Sequence, residues 1–120
     1  MNDSSSPISP TGAVTFSVRA GLKLRQIRER LNMTLRAVEE ASMEIAGAEG
    51  SSDFVVSTGR LNQIENDGSL PSIYKLYSLA AIYSLGIEET LALYGINLSN
   101  MEPHRLRSRQ ARTHRFTVEI

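Results

Sequence analysis

The chain has 120 residues, of which 41% are apolar, and it carries no cysteine and no net charge. This length suits one small domain with a modest core, and the lack of cysteine excludes disulfides and thiolate metal sites. The first residues lack an apolar run and the longest apolar stretch is interrupted by serines, so we expect neither a signal peptide nor a membrane span.

Charge is unevenly distributed along the chain, although it sums to zero. Residues 19–36 contain six cations and one anion, whereas residues 39–67 contain seven anions and one cation. The segment 105–115 adds five arginines and no acid. Such a distribution lets a neutral protein present a basic face to DNA, but charge alone favours the simpler explanation of solvated helix faces.

The N-terminal third predicts a disordered arm followed by a helix. Residues 1–15 combine serines with Pro7 and Pro10, a composition typical of disorder. Ser17 is a suitable N-cap for a helix that runs to about Leu31 and ends at Asn32. Its apolar residues at helical spacing are Ala20, Leu24, Ile27 and Leu31.

A second helix is predicted to start at Thr34, an N-cap residue, and to continue to about Ala48. Its inward residues are Leu35, Val38 and Ala41. Residues 49–53 predict a loop, and residues 54–56 predict a short extended run that packs back onto the domain.

Three further helices follow. Ser57 caps a third that stops near Asn66, Ser72 caps a fourth that Gly86 closes, and a fifth ends at Gly95. The predicted apolar stripes are Ile73, Leu76, Tyr77, Ala80 and Tyr83 in the fourth helix, and Ile87, Leu91 and Tyr94 in the fifth. The pattern predicts an all-α domain over residues 16–96, with a basic tail over residues 97–120.

The ordered set of motifs resembles the XRE family of phage repressor and Cro-like DNA-binding domains. LRQIRERLNMTLRAVEEAS, residues 24–42, is similar to that family's first two helices. STGRLNQIE, residues 57–65, followed by NDGSLPS, is similar to its third helix and the turn into the fourth. The resemblance implies a five-helix, repressor-like helix-turn-helix domain with flexible tails at both ends.

The resemblance also implies which residues contact DNA bases. They are Thr58, Gly59, Arg60, Asn62 and Gln63. Gln63 has the groups to bond adenine in bidentate fashion, Arg60 to bond guanine or a phosphate, and Thr58 to touch a thymine methyl. Gly59 either lets the backbone approach DNA closely or lies in a frayed first turn where glycine costs little.

Phosphate contacts are implied at four residues: Arg25, Arg28, Thr34 and Asn66. Thr34 stands where the family places a helix N-terminus, whose amides and dipole favour an anion, against the backbone. Arg28 and Glu65 occupy the positions of a family ion pair between the first and third helices. For this pair a structural role is favoured over a functional one, because paired charges are more often architectural.

Three departures from the family pattern stand out. Leu35 replaces a phosphate-contacting glutamine, and Glu39 replaces a small alanine beneath the third helix. An insertion of about residues 43–56 separates the second and third helices, and we expect it on the far side of the domain from DNA or at its edge, because its carboxylates would repel phosphates. It serves either a protein partner or no function at all.

We therefore expect a sequence-specific, double-stranded DNA-binding protein, a transcriptional regulator located in the cytoplasm at the nucleoid. A homodimer on a two-fold site is expected, with the fifth helix and the tail as the candidates for the contact. The alternatives are an antitoxin-like protein that also binds a toxin, and an interaction module without DNA binding. No enzyme motif is present, and we expect no metal or cofactor.

Overall fold

Five α-helices and two 3-10 turns make up the part of the protein that its computed structural model describes, residues 12–100, with side chains over 16–99. The α-helices are α1 (Gly12–Arg30), α2 (Leu35–Glu49), α3 (Thr58–Asn66), α4 (Ile73–Ile82) and α5 (Ile87–Leu93). The 3-10 turns are Ser52–Phe54 and Leu98–Asn100. The described residues contain no strand, so the predicted all-α class is confirmed.

No helix over residues 12–100 combines the length and the apolar character needed to cross a membrane. Residues 1–11 of the predicted arm and residues 101–120 of the basic tail lie outside the described residues, whereas residues 12–15, which were expected in the disordered arm, belong to α1.

Side-chain hydroxyls cap three of the helices, as the sequence predicts. In α2, α3 and α4 the hydroxyl of the N-cap residue accepts a hydrogen bond from the amide three residues later, which satisfies one of the open donors of the first turn. The pairs are Thr34 with Ala37, Ser57 with Arg60 and Ser72 with Lys75, at 3.0, 3.1 and 3.2 Å. Asn32 adopts the predicted left-handed conformation after α1, with φ of 57°.

The core is built from residues of α1, α2, α3 and α4 together with residues that border these helices. α3 packs against α1 and α2, α4 packs against α2 and the 3-10 turn Ser52–Phe54, and α5 closes the domain against α1 and α4. The buried cluster comprises Ala20, Leu24, Val38, Val56, Leu61, Ile64, Leu76, Leu79, Tyr83 and Tyr94. Burial of this apolar surface holds the short helices, which would not be stable in isolation.

Two predicted helix ends are wrong. α1 begins at Gly12 rather than Ser17. Residues 12–17 contain no proline, so nothing in this stretch keeps the helix from extending back to Gly12. Gly86 does not close α4, which ends at Ile82 with Tyr83 as its C-cap. Gly86 is instead the N-cap of α5, where its amide donates to the Glu89 carboxylate.

Part of the predicted core is exposed. Leu31, Ile73, Tyr77 and Ile87 are between 42% and 58% exposed. In α4 the buried face is turned away from Ile73 and Tyr77 toward Leu79, and Ser78 is buried as well. The predicted extended run also differs, because Phe54 closes a 3-10 turn and the extended backbone begins at Val55.

Candidate nucleic-acid interface

One side of α3 is a continuous exposed stripe. It consists of Gly59, Asn62, Gln63 and Asn66, which are all exposed and lie at helical spacing on one face. The opposite side buries Leu61, Ile64 and Glu65. The exposed stripe therefore carries two asparagines and a glutamine on a helix whose other face is anchored in the core.

The C-terminal half of α3 is held to α1 by a buried ion pair. The Arg28 Nε and Nη2 groups donate to the two Glu65 carboxylate oxygens at 2.7 and 2.9 Å. Arg28 Nη1 donates to the Met33 carbonyl oxygen at 2.9 Å. The Arg28 and Glu65 side chains are only 11% and 1% exposed. The hydrogen bond that Arg28 donates to Glu65 raises the Arg28 pKa, against the opposing effect of burial.

A close helix contact lies beside this pair. A Cβ atom added at Gly21 of α1 would lie 2.3 Å from the Ile64 carbonyl oxygen and 2.9 Å from that of Glu65. Only a glycine lets the two backbones come this close. The sequence gives no sign of this contact, because a glycine within a helix does not indicate which distant residue will approach it.

The N-terminal end of α3 is held by α2. The Ser42 hydroxyl, fully buried, donates to the Glu39 carbonyl oxygen at 2.7 Å and accepts from the Val56 amide at 2.8 Å. The Glu39 carboxylate accepts from the Thr58 amide at 3.3 Å. Glu39 is half-buried and caps the start of α3, where the helix dipole favours a negative charge.

Arg60 lies beside the exposed stripe and joins Gln63 to the loop that follows α3. Its Nη1 group donates to the Ser69 hydroxyl and to Gln63 Oε1, and its Nη2 group donates to the Leu70 carbonyl oxygen at 2.9 Å. The residue is half-buried. Arg60 thus binds the loop between α3 and α4, although the sequence analysis expected it to contact a base or a phosphate.

A second arginine joins α1 to the exposed stripe. Arg25 Nε donates to the Glu29 carboxylate at 3.0 Å, and Arg25 Nη1 donates to Asn66 Oδ1 at 3.2 Å. Asn66 Nδ2 in turn donates to Asn62 Oδ1 at 2.6 Å and to the Asn62 carbonyl oxygen at 3.1 Å. All four residues are exposed, so a cation of α1 lies directly beside the stripe.

The remaining predicted site residues lie near the same surface. Thr34 is exposed at the start of α2, next to the Met33 carbonyl that Arg28 binds. Thr58 is half-buried, and Gly59 faces open space, since an added Cβ would meet nothing within 4 Å. The predicted residues thus lie on α3, on the C-terminal half of α1 and at the start of α2. Arg60 is half-buried and bonded to the loop after α3.

The insertion lies against α4 and does not cover the stripe. The Ser78 hydroxyl donates to the Phe54 carbonyl oxygen at 2.6 Å. Lys75 Nζ donates to the Asp53 and Val55 carbonyl oxygens at 3.1 and 2.9 Å. Phe54 and Val55 thus pack back onto the domain, as expected, whereas the position of the insertion relative to DNA stays a prediction.

No family model matches this chain, and comparisons with curated proteins and with solved structures find no match either. The resemblance to the XRE family therefore stays a prediction from the residues themselves. The geometry of α3 and of the residues that hold it is therefore the basis for a functional proposal.

Proposed function

We propose that the protein binds double-stranded DNA by inserting the exposed stripe of α3 into the major groove. The observation that carries this proposal is the stripe itself: three uncharged amide side chains and a glycine on one uncovered face. Amide groups at such positions match the hydrogen-bonding edges of bases. The helix is fixed at both ends, by Arg28–Glu65 and by the Ser42 and Glu39 contacts, so its side chains would be presented in one orientation.

Phosphate contacts would come from the elements next to the stripe. Arg25 bonds Asn66 and so stands beside the stripe, where its charge would lie near the DNA backbone. The α2 amides after Thr34 would offer donors to a phosphate. Arg28, by contrast, is almost wholly buried and bonded at three nitrogens, so we assign it to the scaffold and not to the phosphate contacts.

We extend the proposal to a sequence-specific regulator of the repressor type, acting on DNA in the cytoplasm. A single domain of this size reads only a few base pairs, so a homodimer on a two-fold site would be needed for useful affinity. The dimer contact we propose is the aromatic face, defined as Phe54, Ile73, Tyr74 and Tyr77. The Phe54 ring makes edge contacts with the Tyr74 and Tyr77 rings at 5.3 and 5.4 Å between centroids.

The aromatic face suits a second copy of the chain for two reasons. Ile73, Tyr74 and Tyr77 are 58%, 47% and 45% exposed, which leaves apolar surface to bury. The face belongs to α4 and the insertion, whereas α3 packs on α1 and α2. A second copy seated there would leave the α3 stripe free for DNA.

The DNA-binding test measures affinity for selected and random duplexes over a range of salt concentrations. Binding should weaken steeply with salt, as phosphate contacts release counterions. Asn62→Ala and Gln63→Ala should each cost about 1–3 kcal/mol at particular bases. Asn97→Ala, an exposed amide beyond α5, is the control and should change nothing. If the two α3 variants bind as the parent does, the proposal is wrong.

The dimer test compares two aspartate substitutions by sedimentation at several protein concentrations. Ile73 lies on the aromatic face, and Ile96 lies between α5 and the tail, the two segments first expected to form the dimer contact. Their side chains are 58% and 45% exposed. We expect only Ile73→Asp to give a monomer. A monomer from Ile96→Asp alone would return the contact to the region of α5.

The same face supports a second candidate function, binding of another protein. This is the antitoxin-like alternative, or the interaction module without DNA binding. The exposed rings of the aromatic face favour protein binding over the alternative that the insertion has no function, because exposed apolar patches often mark interaction sites. A monomeric protein whose binding to duplex DNA is absent, or independent of salt, would favour the interaction module over our proposal.

A further inference from the structure

The amide groups of the α3 stripe are held in defined orientations by arginines. An arginine side chain has only donors, so any amide atom that faces it within hydrogen-bond distance must be the oxygen. Gln63 meets Arg60 in this way, at 3.1 Å between Nη1 and Oε1. The oxygen of Gln63 therefore faces Arg60 and already accepts one hydrogen bond, while its amino group is left to face a ligand.

Arg25 orients two asparagines in the same way. Arg25 must meet the oxygen of Asn66, at 3.2 Å, so the Asn66 amino group points to Asn62. That amino group must in turn meet an acceptor, which is Asn62 Oδ1 at 2.6 Å. Asn62 is thus left with its amino group uncommitted, and no described residue bonds the amino groups of Asn62 or Gln63.

We infer that the stripe is donor-rich and selects guanine over adenine at the bases that Asn62 and Gln63 contact. This inference rests on the proposed function. Guanine offers two acceptors, N7 and O6, side by side in the major groove. Adenine pairs an acceptor with a donor there, and an amide needs its own oxygen free to accept from that donor.

The inference corrects one expectation from the sequence. Bidentate bonding of adenine by Gln63 requires its oxygen and its amino group to face the base together, whereas the oxygen is turned toward Arg60 and already uses one of its two lone pairs there. Cytosine is disfavoured for a similar reason, since it offers only a donor in the groove. Arg25 and Arg60 act here as positioning residues, because they set the orientation of amides without having to touch a base themselves.

The first experiment selects bound duplexes from a random pool with the full chain. Positions whose preference is lost in Asn62→Ala or Gln63→Ala should be enriched in guanine. Replacing such a guanine by 7-deazaguanine, which lacks the N7 acceptor, should weaken binding about fivefold to tenfold. Enrichment of adenine at these positions, or no effect of 7-deazaguanine, would overturn the inference.

The second experiment changes the orienting arginine. Arg60→Met frees the Gln63 oxygen, so the ratio of affinities for guanine and adenine at the Gln63-dependent position should fall by at least about fivefold. Arg60→Lys keeps a donor-only group there and should retain the guanine preference. Arg36→Met is the control, because Arg36 is exposed and pairs only with Glu40 in the described structure. A purely structural role for Arg60 would weaken binding to both bases equally.

Failure of the inference and failure of the proposed function give different results. Salt-dependent binding with an unchanged base preference in Arg60→Met leaves DNA binding standing and rejects the orientation argument. Absence of binding to every duplex in the selection, by a chain whose circular dichroism is helical, rejects DNA binding and the inference with it.

Discussion

The two ends of α3 are held to the rest of the protein by different chemistry. The C-terminal end depends on a charged pair and on a backbone contact at Gly21 that excludes any side chain. The N-terminal end depends on two single hydrogen bonds, which the Val56 and Thr58 amides donate to the Ser42 hydroxyl and the Glu39 carboxylate. The contrast indicates that the C-terminal end of α3 is the more rigidly fixed of the two.

The largest effect is expected from breaking the ion pair at the C-terminal end. Arg28→Met leaves the Glu65 carboxylate buried without its partner, and should lower the free energy of unfolding by about 3–5 kcal/mol in denaturant titrations. The exposed pair Arg36–Glu40 supplies the control: Arg36→Met should cost about 0.5 kcal/mol or less. The double variant Arg28→Met/Glu65→Met should recover much of the loss. A mild effect of Arg28→Met alone would mean that the pair does not fix this end.

The next effect concerns the close contact of α1 and α3. Gly21→Ala places a methyl group against the Ile64 carbonyl oxygen, so the helices must separate, at a cost of about 2–3 kcal/mol in thermal or chemical unfolding. Gly47→Ala in α2 meets nothing within 4 Å and should instead stabilise the protein by about 0.5–1 kcal/mol. Equal behaviour of the two variants would show that the close approach is not required.

A smaller effect is expected at the N-terminal end. Ser42→Ala leaves the Val56 amide buried without an acceptor and should cost about 1–2 kcal/mol in unfolding experiments. Ser52→Ala, at an exposed serine of the 3-10 turn, should be nearly neutral. If Ser42→Ala costs more than Arg28→Met, the order of the two ends is the reverse of what we describe.

The smallest effect at neutral pH concerns Tyr94, which packs in the core with α5. Its hydroxyl has no hydrogen-bond partner among the described residues, so Tyr94→Phe should be neutral or stabilising by up to about 1 kcal/mol near pH 7.

Burial raises the pKa of Tyr94 to about 12, from an ordinary value of 10, and the nearby Arg60 charge opposes this only in part. The folded state therefore holds the proton that the unfolded state releases, and stability should fall as pH rises from about 10 to 12. Tyr94→Phe should lessen that fall, whereas Tyr74→Phe, at an exposed ring, should not. An identical alkaline transition in Tyr94→Phe would contradict the pKa shift.

The local features of this fold were predictable from sequence because they depend on neighbours in the chain. The caps at Thr34, Ser57 and Ser72 bond an amide three residues away, and the turn at Asn32 depends on one residue's tolerance of positive φ. The buried face of α3, with Leu61 and Ile64, follows from helical spacing. The exposed amides of the proposed site follow from the same spacing on the other face.

Contacts between distant residues were decided only by the tertiary structure. Spacing alone could not tell which face of α4 would be covered, so Ile73 and Tyr77 were assigned to the core, although the insertion and α2 cover Ser78 and Leu79 instead. Distant atoms decide the roles of Gly21 and Ser42. They also decide the position of Arg60, which bonds the loop after α3. The sequence by itself determined which side chains α3 exposes, whereas the fold determined what holds the helix and which way its amides point, because hydrogen bonds between separate elements exist only once those elements are packed.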